Sequence, residues 1–176
     1  FTDCKGTGEG KQYSTAYDIS LLSKELIKYD FLTPYMTTYM DELRNGATQL
    51  VNTNTLVRTY DGILGIKAGY SEKSGYSISA AAKRGDSVFI SIIIGCDEKE
   101  DCIKKGKNLL DKGFSSYETI RPAVPKELLN GVKVKSGTAK IVLAKPEFLS
   151  ETTIPIGCSG DIEYEITLPE YVEAPV

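Results

Sequence analysis

The feature that most constrains the fold of this chain is a series of three strand-like segments joined by short polar links. The segments span about 65–70, 76–83 and 87–94. Polar and apolar residues alternate in the second segment, as in a half-buried strand, whereas the third is apolar along most of its length, as in a buried one. Links this short favour antiparallel neighbours. The sequence therefore predicts an antiparallel sheet.

Lys67 is the residue of the first segment that most needs an explanation. It lies beside Ile66 and is followed by Ala68 and Gly69, so little bulk surrounds it and a second backbone or a ligand can approach closely. The structural interpretation is an edge-strand lysine that discourages pairing between sheets. The functional interpretation is a binding residue beside an open strand.

Helical patterns flank the predicted sheet. Before it, a helix is expected from Ser14 or Thr15, where Asp18 completes a capping box and an apolar stripe follows on a side that faces a core. That stripe consists of Ile19, Leu22 and Leu26. After the sheet, a helix is expected over about 98–112, with acidic residues at its start, lysines towards its end and Gly113 as its stop.

Two short signals lie between the first helix and the sheet. Asn45-Gly46 predicts a small hairpin, because both residues accept positive φ. Asn52-Thr53-Asn54 is consistent with capping of a short segment that contains Leu56 and Val57, and also with a loop in the wall of a cleft. Residues 1–12, rich in glycine, predict a loop.

A domain boundary is expected near residues 120–125, where two prolines interrupt the helical pattern. The sequence therefore predicts one domain over residues 1–120 and a second over residues 121–176. The second domain is predicted to be a small all-β module, because its short apolar runs alternate with Gly, Pro and Ser. These runs are 132–134, 140–143, 153–154 and 162–168, and residues 173–176 resemble the start of another strand.

Composition excludes several classes of function. The chain has no histidine, which excludes a Ser-His-Asp triad and any metal site built on histidine, and no cofactor is expected. A formal net charge of −3 without a basic stripe argues against nucleic acid as a partner. No run is long and apolar enough for a membrane span. Cys96 and Cys102 are compatible with two buried thiols or with a disulfide.

An ordered set of motifs along most of the chain resembles the serine-type D-alanyl-D-alanine carboxypeptidases, the low-molecular-mass penicillin-binding proteins. The motifs are 13–18, 49–54, Lys67-Ala68-Gly69, 74–86 and 88–95. The resemblance implies an α+β fold. It consists of an antiparallel sheet with flanking helices, forming part of a β-lactamase/transpeptidase-like domain, and a small all-β, sandwich-like domain that follows.

The implied reaction is removal of the terminal D-Ala from peptidoglycan stem peptides through an acyl-enzyme. In this family Lys67-Ala68-Gly69 matches a third motif, usually Lys-Thr-Gly, which acts with Ser-x-x-Lys and Ser-x-Asn motifs. Neither of these is present here, and in the family both lie upstream of the position that Phe1 matches. By itself, this chain is therefore expected to be inactive.

The resemblance also assigns roles to three positions and identifies two departures from the family's pattern. Lys67 would supply positive potential for the substrate carboxylate, the backbone N–H of Tyr70 would be an oxyanion donor, and Gly69 would leave room for the substrate beside the strand. Ala68 replaces a hydroxyl residue, and Cys102 replaces an arginine of many members. The alternative function is a non-catalytic relative that binds peptidoglycan or a partner.

The implied partners are stem peptides ending in D-Ala-D-Ala, β-lactams and an amino-terminal part of the same protein. The implied location is the bacterial cell envelope, in association with the outer face of the cytoplasmic membrane. Without the amino-terminal part, the apolar sides of the first helix and the central strand would be exposed, so we expect poor stability of this chain alone.

Overall fold

The computed structural model describes residues 12–145 and 150–174. The chain divides into two compact units, and the boundary in the sequence lies between Ser116 and Tyr117. Most of the predicted amino-terminal loop, including Cys4, and the last two residues lie outside the described ranges.

The first helix, α1 (Ala16–Leu26), begins as its sequence predicts. Thr15 is the N-cap: its hydroxyl accepts from the Asp18 N–H at 3.1 Å, and its own N–H donates to the Asp18 carboxylate at 3.0 Å. Within the predicted stripe Leu22 is 54% exposed, as expected for this chain alone, and the buried residue of the helix is the neighbouring Ser23. The Ser23 hydroxyl lies 2.8 Å from that of Ser79, so Ser23 rather than Leu22 makes the close contact with the sheet.

Two short helices and a hairpin connect α1 to the sheet. They comprise α2 (Thr33–Thr37), β1 (Met40–Leu43), β2 (Thr48–Val51) and α3 (Leu56–Thr59). The hairpin between β1 and β2 is confirmed, and the turn residues Arg44, Asn45 and Gly46 all have positive φ. The capping interpretation of Asn54 is also confirmed, since its side-chain oxygen accepts from the Leu56 N–H at 3.1 Å and the residue is fully buried.

The central sheet contains the three predicted strands, all antiparallel. They are β3 (Ile63–Ser71), β4 (Gly75–Arg84) and β5 (Ser87–Cys96), in the order β3-β4-β5. Within the described residues β3 and β5 are both edge strands, as expected for the strand that carries Lys67. The third segment was expected to be buried, but β5 is only partly buried because it lies at an edge. Ser79 on β4 meets α1, and the neighbouring Ile78 faces the opposite side of the sheet, because successive side chains alternate.

The helix α4 (Lys99–Ser116) covers the Ile78 side of the sheet and packs on β4 and β5. Its start agrees with the sequence, but the predicted stop at Gly113 is wrong. A Cβ at Gly113 would lie 3.0 Å from the Phe89 ring, so this glycine allows the helix and β5 to approach closely rather than ending the helix. The first unit therefore has three layers: α1, the sheet and α4.

The core of the first unit lies between the sheet and α4. It is built from α3, β4 and α4, with several residues almost completely buried: Leu56, Ile78, Ala80, Cys102 and Leu110. Small alanines on β4 bring α4 close to the strand. Across the described ranges, no helix combines the length and apolar character needed to cross a membrane.

The second unit contains strands and short 3₁₀ turns. Its strands are β6 (Tyr117–Ile120), β7 (Gly131–Lys135), β8 (Ile141–Leu143), β9 (Thr152–Pro155) and β10 (Tyr171–Glu173). They form one sheet of order β10-β7-β8 and a second sheet of β6 and β9. The all-β prediction is confirmed, although the pairing of β10 with β7 is parallel.

One expected strand of this unit is absent. Residues 162–168 alternate between half-buried and exposed positions, as their sequence predicts, but form no ladder with any described residue. Alternation follows from burial of one side of an extended segment, whereas a ladder also requires a neighbouring strand edge. The pairing in this region belongs instead to β10.

Candidate functional site

The candidate site is built around β3, whose start carries a bulge. The pairing with β4 shifts between Ile63 and Gly65, and both Gly65 and Ile66 have positive φ, at 90° and 91°. Gly65 is required there, because a Cβ would lie 2.5 Å from the Met36 carbonyl oxygen at the end of α2. The bulge sets the register of the rest of the strand, so that Lys67 is exposed and Ala68 is buried.

Lys67 lies on the α1 side of the sheet, opposite Ser79. It contributes to an open groove with a volume of about 640 Å³, formed between α1 and the three strands. The α1 residues of this groove are Ile19, Leu22, Ser23 and Leu26, and its floor includes the three isoleucines 92–94. The groove is thus largely apolar, with the Lys67 ammonium as its charged group.

Ala68 faces the other side of β3 and borders a smaller pocket of about 270 Å³ next to α4. Thr53, Tyr70, Lys99 and Cys102 also line this pocket, and Gly69 borders both the pocket and the groove. The structure therefore separates the predicted site residues. Lys67 lies on one side of the strand, Ala68 and Tyr70 border the pocket on the other, and Gly69 is open to both.

The edge of β3 that faces away from β4 carries backbone groups that do not pair within the sheet. The Thr53 hydroxyl donates to the Ala68 carbonyl oxygen at 2.6 Å, so that carbonyl points away from β4. In an antiparallel strand the N–H and C=O of one residue point to the same side and alternate along the chain. The Tyr70 N–H, two residues further along the regular register, therefore points to the same free edge.

The aromatic and sulfur side chains of the pocket make two further contacts. The rings of Tyr70 and Tyr76 lie 4.6 Å apart between centroids. Cys102 is 1% exposed, and burial together with a hydrogen bond to Cys96 raises its pKa to about 12. Both cysteines are free thiols in the structure, the first of the two alternatives left open by the sequence. A thiol with such a raised pKa is a weak nucleophile at neutral pH.

Thr53 and Lys99 are two of the pocket residues that the sequence analysis did not assign to the site. Thr53 belonged to a segment for which capping and a cleft wall were both considered, and the structure gives it a hydrogen bond to β3. Lys99 was not singled out because its sequence neighbours at the start of α4 are acidic residues typical of an exposed helix end. Among the described residues, no group of three or more His, Cys, Asp and Glu side chains is arranged to hold a metal ion.

Comparison with known proteins gives consistent results. The family model for D-alanyl-D-alanine carboxypeptidases matches residues 1–98. The chain is 33% identical over its whole length to the D-alanyl-D-alanine carboxypeptidase DacF of Bacillus subtilis, covering 46% of that protein. Against DacC of Escherichia coli it is 28% identical, over 97% of this chain and 42% of the relative.

Solved structures with the same fold include two penicillin-binding proteins. Penicillin-binding protein 5 from Haemophilus influenzae superimposes on 99% of this chain and 52% of its own, with a TM-score of 0.79 and 23% identity. Penicillin-binding protein D2 from Listeria monocytogenes, in its cefotaxime-bound form, matches 65% of this chain and 47% of its own, with a TM-score of 0.59 and 29% identity. The chain spans about half the length of these relatives.

Proposed function

The chain belongs to the D-alanyl-D-alanine carboxypeptidase family, and from that premise we propose that the protein containing it removes the terminal D-Ala from peptidoglycan stem peptides. The observation that carries this proposal is the free edge of β3, where the Tyr70 N–H points outward and Gly69 leaves space beside the strand. An extended peptide pairs naturally with such an edge.

The proposed reaction proceeds through an acyl-enzyme. A serine on the amino-terminal part of the protein attacks the carbonyl carbon of the penultimate D-Ala, the peptide bond breaks and D-Ala leaves with a proton on its nitrogen. Water then hydrolyses the ester and regenerates the serine. The Tyr70 N–H donates to the oxyanion that forms in each step, a contribution worth about 3 kcal/mol per donor in other hydrolases. Lys67 supplies positive potential towards the substrate carboxylate and the proton network.

The proposed partners follow from the same assignment. β-Lactams acylate the same serine, and the amino-terminal part of the protein covers the groove between α1 and the sheet. Two observations support the proposal that the groove is covered. Leu22 and Ile94 are 54% and 45% exposed, and the outer edge of β5 is unpaired among the described residues. The proposed location is the bacterial cell envelope, in association with the outer face of the cytoplasmic membrane.

Ala68 is the observation that favours the second candidate, a non-catalytic relative that binds peptidoglycan or a partner. Ala68 is 7% exposed and borders the pocket, and its methyl group supplies no hydroxyl to a substrate carboxylate. A hydrogen bond to a charged group is worth about 1.5 to 3 kcal/mol, so its absence weakens recognition substantially unless another group replaces it.

Intact mass of the full-length protein after incubation with a β-lactam distinguishes these functions, with turnover of diacetyl-Lys-D-Ala-D-Ala measured in parallel. We expect a covalent adduct and release of D-Ala. An adduct without turnover would show a working nucleophile with failed carboxylate recognition. A folded protein that gives neither signal would overturn the carboxypeptidase proposal and favour the non-catalytic relative.

A further inference from the structure

The pocket on the α4 side of β3 contains a cation with no assigned role. Ten residues line the pocket, and Lys99 is the charged one among them. The remaining walls come from small, aromatic and aliphatic side chains, with the Thr53 and Ser77 hydroxyls as additional polar groups. An ammonium group beside apolar walls interacts more strongly with an anion than it would in open water.

Lys99 makes no structural ion pair within the described ranges. The neighbouring charges of α4 are paired, since Lys105 contacts Asp101 at 2.7 Å and Lys107 contacts Asp111 at 2.6 Å. Lys99 is also the first residue of an 18-residue helix, where the helix dipole disfavours a cation by a few tenths of a kcal/mol to about 1 kcal/mol. Local helix stability therefore does not explain a lysine at this position.

The acidic residues next to Lys99 in sequence do not occupy the pocket. Glu98 and Glu100 are exposed and are not among the lining residues, and Asp101 is bound to Lys105. An anion entering the pocket thus meets one positive charge and no carboxylate in its walls. Among those walls, Ala68 and Cys102 are uncharged side chains that leave space, and the thiol stays protonated because burial raises its pKa.

We propose that Lys99 is a specificity-determining residue that binds the terminal carboxylate of a peptide lying along the free edge of β3. This inference rests on the proposed function and deepens it. The peptide backbone pairs beside Gly69 and Tyr70, and its last residue enters the pocket. Lys99, on the α4 side of the strand, contacts the carboxylate there, whereas Lys67, on the opposite side, contributes only positive potential from a longer distance. A pocket of about 270 Å³ accommodates an alanine-sized residue with its carboxylate.

The test compares Lys99→Met with Lys104→Met in the full-length protein. Lys104 is exposed on the same helix, lies outside the pocket and has no ion pair within the part of the chain described, so it controls for the loss of one positive charge. For release of D-Ala from diacetyl-Lys-D-Ala-D-Ala, we expect Lys99→Met to raise KM by about 10- to 100-fold with kcat within about threefold of wild type. Lys104→Met should leave both constants within about twofold, and Lys99→Arg should restore most of the affinity.

A second measurement separates this inference from the proposed function. Equilibrium binding of the same peptide, followed by NMR on the same proteins with thermal unfolding as a check of folding, does not require turnover. Binding that depends on Lys99 without release of D-Ala would overturn the carboxypeptidase proposal and support the role of Lys99. Turnover or binding that is the same in folded Lys99→Met and Lys104→Met would overturn the role of Lys99 and leave the proposed function unaffected.

Discussion

At the scale of single residues, the site depends on one glycine that keeps β3 in register. Gly65 has φ of 90°, and its missing side chain leaves room for the Met36 carbonyl oxygen. Gly85, in the turn between β4 and β5, also has positive φ, at 59°, but a Cβ there would meet no atom within 4 Å. Substitution of the two glycines therefore distinguishes the energetic cost of positive φ from the cost of a steric clash.

We expect Gly65→Ala to lower the free energy of unfolding by about 2 to 4 kcal/mol, because strain and a backbone clash combine. Gly85→Ala should cost about 1 kcal/mol, the cost of positive φ alone. Urea unfolding of the full-length protein measures both changes. Equal effects would contradict the steric role of Gly65. If folded Gly65→Ala protein specifically loses peptide binding, the bulge also determines the geometry of the site.

At the scale of elements, Tyr60, which follows α3, and Arg84 on β4 attach α4 to the rest of the first unit. The Tyr60 hydroxyl donates to Asp111 at 2.9 Å, and the Arg84 guanidinium lies 4.8 Å from the Tyr60 ring centroid and 4.5 Å from that of Phe114. Burial, followed by the hydrogen bond to Asp111 and its charge, raises the pKa of Tyr60 from 10.0 to about 12. Ionisation of Tyr60 is therefore linked to the folding of these elements.

A raised pKa predicts a definite direction for the stability. Unfolded Tyr60 loses its proton near pH 10, whereas the folded protein retains it to about pH 12, so this contribution is complete below pH 10 and is lost as the pH rises to 12. We expect Tyr60→Phe to remove that part of the alkaline decline in urea midpoint, and Asp111→Asn to reduce it. A decline in Tyr60→Phe as steep as in wild type would contradict the assignment.

The elements also show which local patterns in the sequence were sufficient to predict the structure. The capping box of Thr15 and Asp18, the Asn45-Gly46 turn and the three strands are local patterns, and the structure confirms them. Gly113 has the same local appearance as a helix stop, but its role is set by Phe89 on another element. Leu22 follows helical spacing, yet Ser23 occupies the contact with β4. Such outcomes depend on tertiary neighbours that a local pattern does not contain.

The candidate site, too, could be predicted from the sequence only in part. The order of motifs placed Lys67, Gly69 and Tyr70 on one strand, and the strand alternation that exposes Lys67 and buries Ala68 follows from the bulge at Gly65. The pocket beside Ala68 did not follow from the sequence, because Lys99 and Cys102 come from α4, more than thirty residues along the chain. Their proximity to β3 is a product of sheet and helix packing.

At the scale of the whole molecule, the first unit leaves a continuous apolar surface without cover by any described residue. Leu21, Leu22 and Ile94 are 49%, 54% and 45% exposed, and β5 has an unpaired edge among the described strands. A long apolar edge strand of this kind is a template for association between chains. The isolated chain therefore combines a small core with a surface that favours contact with a second polypeptide.

We expect the isolated chain to unfold at low urea concentration and to associate as its concentration rises, because both the groove and the edge of β5 remain in water. Ile94→Lys should increase the monomeric fraction, since a charge on the edge strand opposes pairing. Ile141→Lys, a substitution at a 62% exposed site in the second unit, is the matched control and should have little effect. Sedimentation measures association and urea unfolding measures stability. A monomeric isolated chain with a cooperative transition at the same midpoint as the full-length protein would show that this surface needs no cover.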